Sequence, residues 1–171
     1  MKRLFMFMTV IAAMAMITVS CSKDDDEITK EGFTDNLFQK GTTIVWEGQE
    51  RTRRYNGGWY DDGQKYAVMR FDRTSNTATS GTGYVIYFKN SFKEELNYSG
   101  SFSEIQWYFQ DNILYVNYKR NGWPAVHGEY NTSELVVDGN TFKGTWYEDN
   151  DNKFEFTYSK SSFSDWNKYF N

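Results

Sequence analysis

Ile105-Gln106-Trp107-Tyr108-Phe109-Gln110-Asp111-Asn112-Ile113-Leu114-Tyr115-Val116-Asn117-Tyr118 reads as two strands joined by a tight turn. Apolar residues alternate on both sides of Asp111-Asn112, a good two-residue hairpin turn. That turn sets Phe109 opposite Leu114, Trp107 opposite Val116 and Ile105 opposite Tyr118. Every pair on this face is apolar. A slip of one residue would send half of each pair to the other face, so the register is well specified. The other face pairs Tyr108 with Tyr115.

The same logic extends in both directions. A turn at Asp138-Gly139 or Gly139-Asn140 puts Leu135 and Val137 on the face of Phe142, Gly144 and Trp146. A loop from Glu148 to Asn152 then pairs Trp146 with Phe154, Gly144 with Phe156 and Phe142 with Tyr158. Gly144 would leave bare backbone under the Phe156 ring. Upstream, Ala67, Met69 and Phe71 alternate with Tyr66, Val68 and Arg70. Tyr84, Ile86 and Phe88 alternate with Val85, Tyr87 and Lys89. Tyr87 and Tyr147 share the outward parity of Tyr108 and Tyr115. Consecutive strands thus pair through short connections, and closing such a meander removes its exposed edges. The expected fold is all-β, an antiparallel up-and-down barrel of about eight to ten strands over residues 41–160. A β-sandwich is the alternative, and it calls for longer crossovers.

Composition agrees. The chain has 171 residues, with 33 aromatics and one Pro. One Cys excludes an intramolecular disulfide or a Cys-rich metal site, and one His excludes a multi-histidine centre. A net charge of −4 argues against broad attraction to nucleic acid.

The first twenty residues read as a signal peptide. Lys2-Arg3 precede an apolar run from Leu4 to Ile17, shorter than the ~20 residues a membrane span needs. Thr18-Val19-Ser20-Cys21 resembles a lipobox, with Thr18 where Leu, Val or Ile is usual. Cys21 is therefore the expected lipidation site and the link to a membrane. Losing Lys2 and Arg3 takes the net charge from −4 to −6. Asp24-Asp25-Asp26-Glu27 cannot pack, so residues 21–40 are expected to form an acidic tether. Cys21 to Asp26 resembles the surface-export signal of lipoproteins in Bacteroidetes-type Gram-negative bacteria. It implies an outer-membrane, surface-exposed address.

A second resemblance rests on Gly81-Thr82-Gly83, on Trp107 to Asn112 and on Phe142-Lys143-Gly144-Thr145-Trp146. From Ser101 to Ser159 the chain resembles the small lipocalin-like lipoproteins of Bacteroidetes. That family implies a lipocalin-like (calycin-like) barrel holding a ligand, with no shared ligand identity. True lipocalins carry Gly-x-Trp on their first strand; here it lies near the last.

No catalytic set stands out, and no cofactor or metal is expected. His127 has no neighbouring nucleophile pattern. Asp61-Asp62, Glu94-Glu95 and Glu148-Asp149 read as solvated loop acids, and Asp149 to Asn152 lacks calcium-loop spacing. Arg51, Arg53 and Arg54 beside Tyr55, Trp59 and Tyr60 fit either an anion grip or a charged strand that resists edge pairing. In a meander, Asp61-Asp62-Gly63, the 90–100 loop and Arg120 to Trp123 share one end. Ser91-Phe92-Lys93-Glu94 has a capping-box pattern for one helical turn. Phe92, Tyr98 and Trp123 are thus the expected ligand-binding rim, and Trp46, Trp107, Trp146 and Phe156 the expected ligand-binding residues of the interior. Residues 161–171 form a tail with a short helix whose rings plug or brace the barrel. The expected function is non-enzymatic binding of a small apolar or glycan-like ligand. A closed structural or partner-docking protein and, less favoured, a hydrolase are the alternatives.

Overall fold

Alternation of large apolar and polar residues, with few good helix formers, commits most of this chain to strands. The computed structural model describes residues 29–170 apart from 131, 149 and 150. Cys21, the apolar run before it and the acids after it lie outside the described residues. Nine strands follow: β1 (Thr43–Tyr55), β2 (Trp59–Arg73), β3 (Ser80–Phe88), β4 (Phe102–Gln110), β5 (Ile113–Tyr118), β6 (Val126–Glu129), β7 (Leu135–Asp138), β8 (Thr141–Tyr147) and β9 (Asn152–Lys160). Their order in the sheet is β6-β5-β4-β3-β2-β1-β9-β8-β7, and β6 also pairs with β8. That pairing closes an eight-stranded antiparallel barrel, with β7 as an extra strand beside β8.

The three hairpin registers agree with the sequence reading. Trp107 faces Val116, Val137 faces Phe142, and Trp146 faces Phe154. The long β1–β2 hairpin differs. Its turn is Asn56–Gly58, with Gly57 at φ 71°, so Asp61 and Asp62 sit within β2 rather than in a loop. Gly144 also has a stricter role than expected. Phe156, cross-strand from it, does lie between the rings of Phe142 and Trp146. The tighter constraint is the Glu134 carbonyl oxygen, 1.7 Å from where a Cβ would stand.

Residues 30–38 were expected to belong to the tether and are instead a helix, α1 (Lys30–Phe38). The Thr29 side chain caps it by accepting from the Gly32 N–H at 3.1 Å, and Gln39 ends it at φ 48°. Phe33, Leu37 and Phe38, spaced for one helical face, are buried against the barrel interior. Phe33 stacks on Tyr130 at 5.1 Å, and Phe38 meets Trp107 at 5.1 Å. The helix seals the barrel end that carries the Asp111-Asn112 and Gly139-Asn140 turns, and the Gln39 amide donates to the Gly139 carbonyl at 3.0 Å. The acids of the tether stop at Glu27; the apolar spacing beyond them decides the structure.

The tail braces the barrel from outside. Phe163, Trp166, Tyr169 and Phe170, the last two in α2 (Asn167–Phe170), pack on Val68, Tyr84, Ile86, Phe88 and Phe102. This covering reverses the expected faces of β3. Ile86 and Phe88 point outward under the tail, while Val85 and Tyr87 belong to the interior core. Tyr87 is only 4% exposed. With both faces of β3 apolar and buried, alternation could not tell inside from outside.

Two substitutions test this architecture by urea unfolding. Phe33→Ala should lower the unfolding free energy by about 3–5 kcal/mol, the usual range for a buried aromatic. Gly144→Ala should cost about 1–3 kcal/mol through overpacking. Gly58→Ala, with open space around it, should stay within about 0.5 kcal/mol of the parent.

Candidate functional site

The barrel end opposite α1 carries the connections after β1, β3, β5 and β8. A cavity of about 240 Å³ opens there. Five rings line it: Tyr87 from β3, Tyr98 from the β3–β4 loop, Tyr118 from β5, Trp123 from the β5–β6 loop and Phe154 from β9. Lys65, Asn97 and Glu148 add polar groups.

Lys65, on the cavity wall, belongs to a charge pair with buried Glu50, which does not itself line the cavity. Strand parity carries Trp46 to Gly48 to Glu50 on the inner face of β1, and Met69 to Ala67 to Lys65 on that of β2. The register sets Glu50 directly opposite Lys65. Glu50 is 1% exposed. Its Oε2 holds the Lys65 ammonium by charge at 3.1 Å, and its Oε1 accepts a short hydrogen bond from the Tyr158 hydroxyl. The ammonium also sits 3.7 Å from the Tyr87 ring centroid and 4.6 Å from that of Phe154. A carboxylate in this position is tolerable only because it is paired and hydrogen-bonded.

Above the pair, the Tyr87 and Tyr118 hydroxyls share a hydrogen bond of 3.0 Å. Burial, then the nearby Glu50 carboxylate, pushes the phenols of Tyr87, Tyr118 and Tyr158 above the usual tyrosine range. All three therefore stay protonated at neutral pH, as hydroxyls that can donate.

The rim is partly the one expected. Trp123 packs on Tyr118 at 5.2 Å, Tyr87 at 5.5 Å and Tyr98 at 6.3 Å. The Arg120 guanidinium lies 5.3 Å from the Trp123 ring and 5.8 Å from that of Tyr98. Buried Ser101 fixes the Tyr98 loop: its Oγ lies 2.9 Å from the Tyr87 and Tyr98 carbonyl oxygens and accepts from the Tyr98 N–H. Phe92 does not join this group. It is 78% exposed and does not line the cavity. The expected helical turn there is a tight turn instead, with Lys93 at φ 59° and its ammonium 3.1 Å from both Glu47 carboxylate oxygens. That ion pair draws the loop tip onto the outer wall, away from the mouth.

Trp46, Trp107, Trp146 and Phe156 all face inward in one core, but none lines the cavity. They fill the barrel below it. His127 stands outside, between the rings of Tyr115 and Tyr147. Arg53 pairs with Asp61 and Glu155, and Arg54 with Asp62. Cys21 and Asp149 lie outside the described residues. Among the described residues no cluster of His, Cys, Asp and Glu is arranged to hold a metal ion. Glu50, Lys65 and Tyr158 went unread in the sequence as site residues, although the same alternation that placed Trp46 and Met69 reaches them. No family model matches this chain, and no curated protein matches it.

The phenols give this site an alkaline signature. Tyr66, on the outer wall, is pushed up to about 12 by burial and the Glu47 carboxylate, and the three site phenols also lie above the usual range. Their unfolded counterparts ionise near pH 10. Stability from these groups should be intact below pH ~10 and fall as pH rises through the folded values. Absorbance near 295 nm followed with circular dichroism should show their ionisation coinciding with unfolding.

Proposed function

We propose that this protein is a lipid-anchored binding protein whose barrel holds a small molecule at the open end, without catalysing a reaction. The observation that carries this reading is the asymmetry of the barrel. One end is sealed by α1, and the other opens into a cavity lined by rings and by Lys65. Concave, mostly apolar sites with a few convergent polar groups are the usual form of a small-molecule pocket.

The N-terminal pattern supports an acylated Cys21 and a place on the outer surface of a Gram-negative outer membrane. The chain enters the barrel through α1 at the sealed end. Anchored there, the protein would stand with its cavity facing away from the bilayer. Eight residues lie between Cys21 and Lys30, enough for a reach of about 30 Å when extended.

A closed, partner-docking protein is the second reading, and the ring-filled lower barrel favours it. Trp146 stacks on Phe156 at 5.2 Å and Phe142 meets Trp46 at 5.8 Å, so ligand space is confined to the mouth. On the outer face, Tyr108, Tyr115, His127 and Tyr147 form a ladder of contacting rings. Such a surface suits contact with a partner.

Native mass spectrometry of protein from its own host separates the two. A co-purifying small molecule is expected, and Trp123→Ala should lose it at a cost of about 1 kcal/mol in stability. A core tryptophan would cost about 3–5 kcal/mol. Loss of stability with unchanged retention would place the ligand elsewhere; no bound mass at all would favour the docking reading. Cys21→Ser should move the protein from the membrane fraction to the soluble fraction, and an unchanged distribution would remove the anchor.

A further inference from the structure

Resting on the reading of the open end as a ligand site, we propose that it selects uncharged molecules of one ring, bearing an oxygen that can pair with a phenol. Among the described residues, Lys65 is the only cation lining the cavity. Its ammonium has an ion-pair partner in Glu50 and lies against the ring faces of Tyr87 and Phe154. An anionic ligand would have to share it with Glu50, whose carboxylate is 1% exposed and also holds the Tyr158 hydroxyl. Two carboxylates would then crowd one ammonium in a site with little water to screen them.

A cationic ligand meets the opposite obstacle. Four of the five lining rings, whose faces attract cations, already have cations of the protein beside them, Lys65 at Tyr87 and Phe154 and Arg120 at Trp123 and Tyr98. Protonated Lys65 on the wall would repel a second ammonium.

The groups that remain favour a neutral partner. One hydroxyl of the Tyr87–Tyr118 pair donates to the other, which leaves the pair one proton and its lone pairs for a ligand. Trp123, Tyr98 and Tyr118 supply ring surface on which a flat or pyranose ring can lie. The volume of about 240 Å³ falls below the ~300 Å³ where drug-sized pockets begin, which suits a single ring and not an acyl chain. A sugar ring and a simple aromatic alcohol share this chemistry.

The test is saturation-transfer NMR and titration on the full mature chain with two probe series. One is benzyl alcohol, benzoate and benzylamine; the other is methyl glucoside and glucuronate. The neutral member of at least one series should bind about tenfold more tightly than its charged analogues. Which series responds tells an aromatic ligand from a sugar. Glu50→Gln removes the competing carboxylate and should raise benzoate affinity about tenfold, with no gain for benzylamine. If that variant does not fold, the parent series alone decides. A charged analogue within about threefold of its neutral partner in both series overturns the selectivity and leaves the ligand-site reading standing. No transfer to any probe at about 10 mM, a concentration where even millimolar binding shows, overturns both.

Discussion

Strand β8 bears the closure of the barrel on one divided edge. Its first half, Thr141 to Gly144, pairs with β7, and at Tyr147 it meets His127 of β6. β6 has four residues, so the direct seam is very short. The chain compensates by approaching more closely than side chains allow. A Cβ on Gly128 would stand 2.8 Å from the Leu135 side chain, and one on Gly144 would collide with the Glu134 carbonyl. The Thr145 N–H donates to that same carbonyl at 2.7 Å, which ties the start of β7 into the seam. Two glycines and one extra strand thus do what a longer β6 would do in a regular barrel. Outside, the His127 and Tyr147 rings lie 6.0 Å apart across the joint.

Once the sheet is closed, its interior must be filled, and the chain has few aliphatic residues for the task. Aromatic rings fill the sealed end because α1 adds Phe33 and Phe38 to Trp107, Phe109 and Tyr130 there. The same inward positions become polar toward the open end. Trp46 gives way to Glu50 along β1, and Met69 to Lys65 along β2. The change costs desolvation, which the ion pair, the Tyr158 hydroxyl and two ring faces offset. This pair is where the packed core stops and the cavity begins.

How much of this was legible in the sequence depended on how local the deciding interaction is. The β4–β5, β7–β8 and β8–β9 registers could be read because each turn fixes its own pairs and a slip would bury polar residues. The face of β3 could not, because the tail that covers Ile86 and Phe88 comes some eighty residues later. α1 was hidden behind the acids that precede it, although Phe33, Leu37 and Phe38 carry a helical spacing. Trp123 and Tyr98 were reachable through meander parity, since parity fixes which end a loop occupies. It does not fix which way a loop leans, and Phe92 leans outward with Lys93 toward Glu47. The Glu50–Lys65 pair was open to the alternation rule, but charged residues are so seldom buried that parity alone gave little reason to place them inside.

The open end also explains the arginine run. β2 pairs with β3 only from Tyr66 onward, so residues 59–65 have no strand on that side among the described residues. Such an edge invites pairing with another chain. Asp61 and Asp62 face it with charge, and a bulge between Thr52 and Arg53 breaks the regular ladder opposite. Arg53 lies 3.1 Å from Asp61 and Arg54 2.7 Å from Asp62, each across the hairpin. These exposed pairs are worth little in stability, on the order of 0–1 kcal/mol each. Their effect is to hold charge along an otherwise free edge. That accounts for Arg51 to Arg54 without an anion ligand: the basic residues are matched within the hairpin, and the cavity beside them keeps its own separate charge pair.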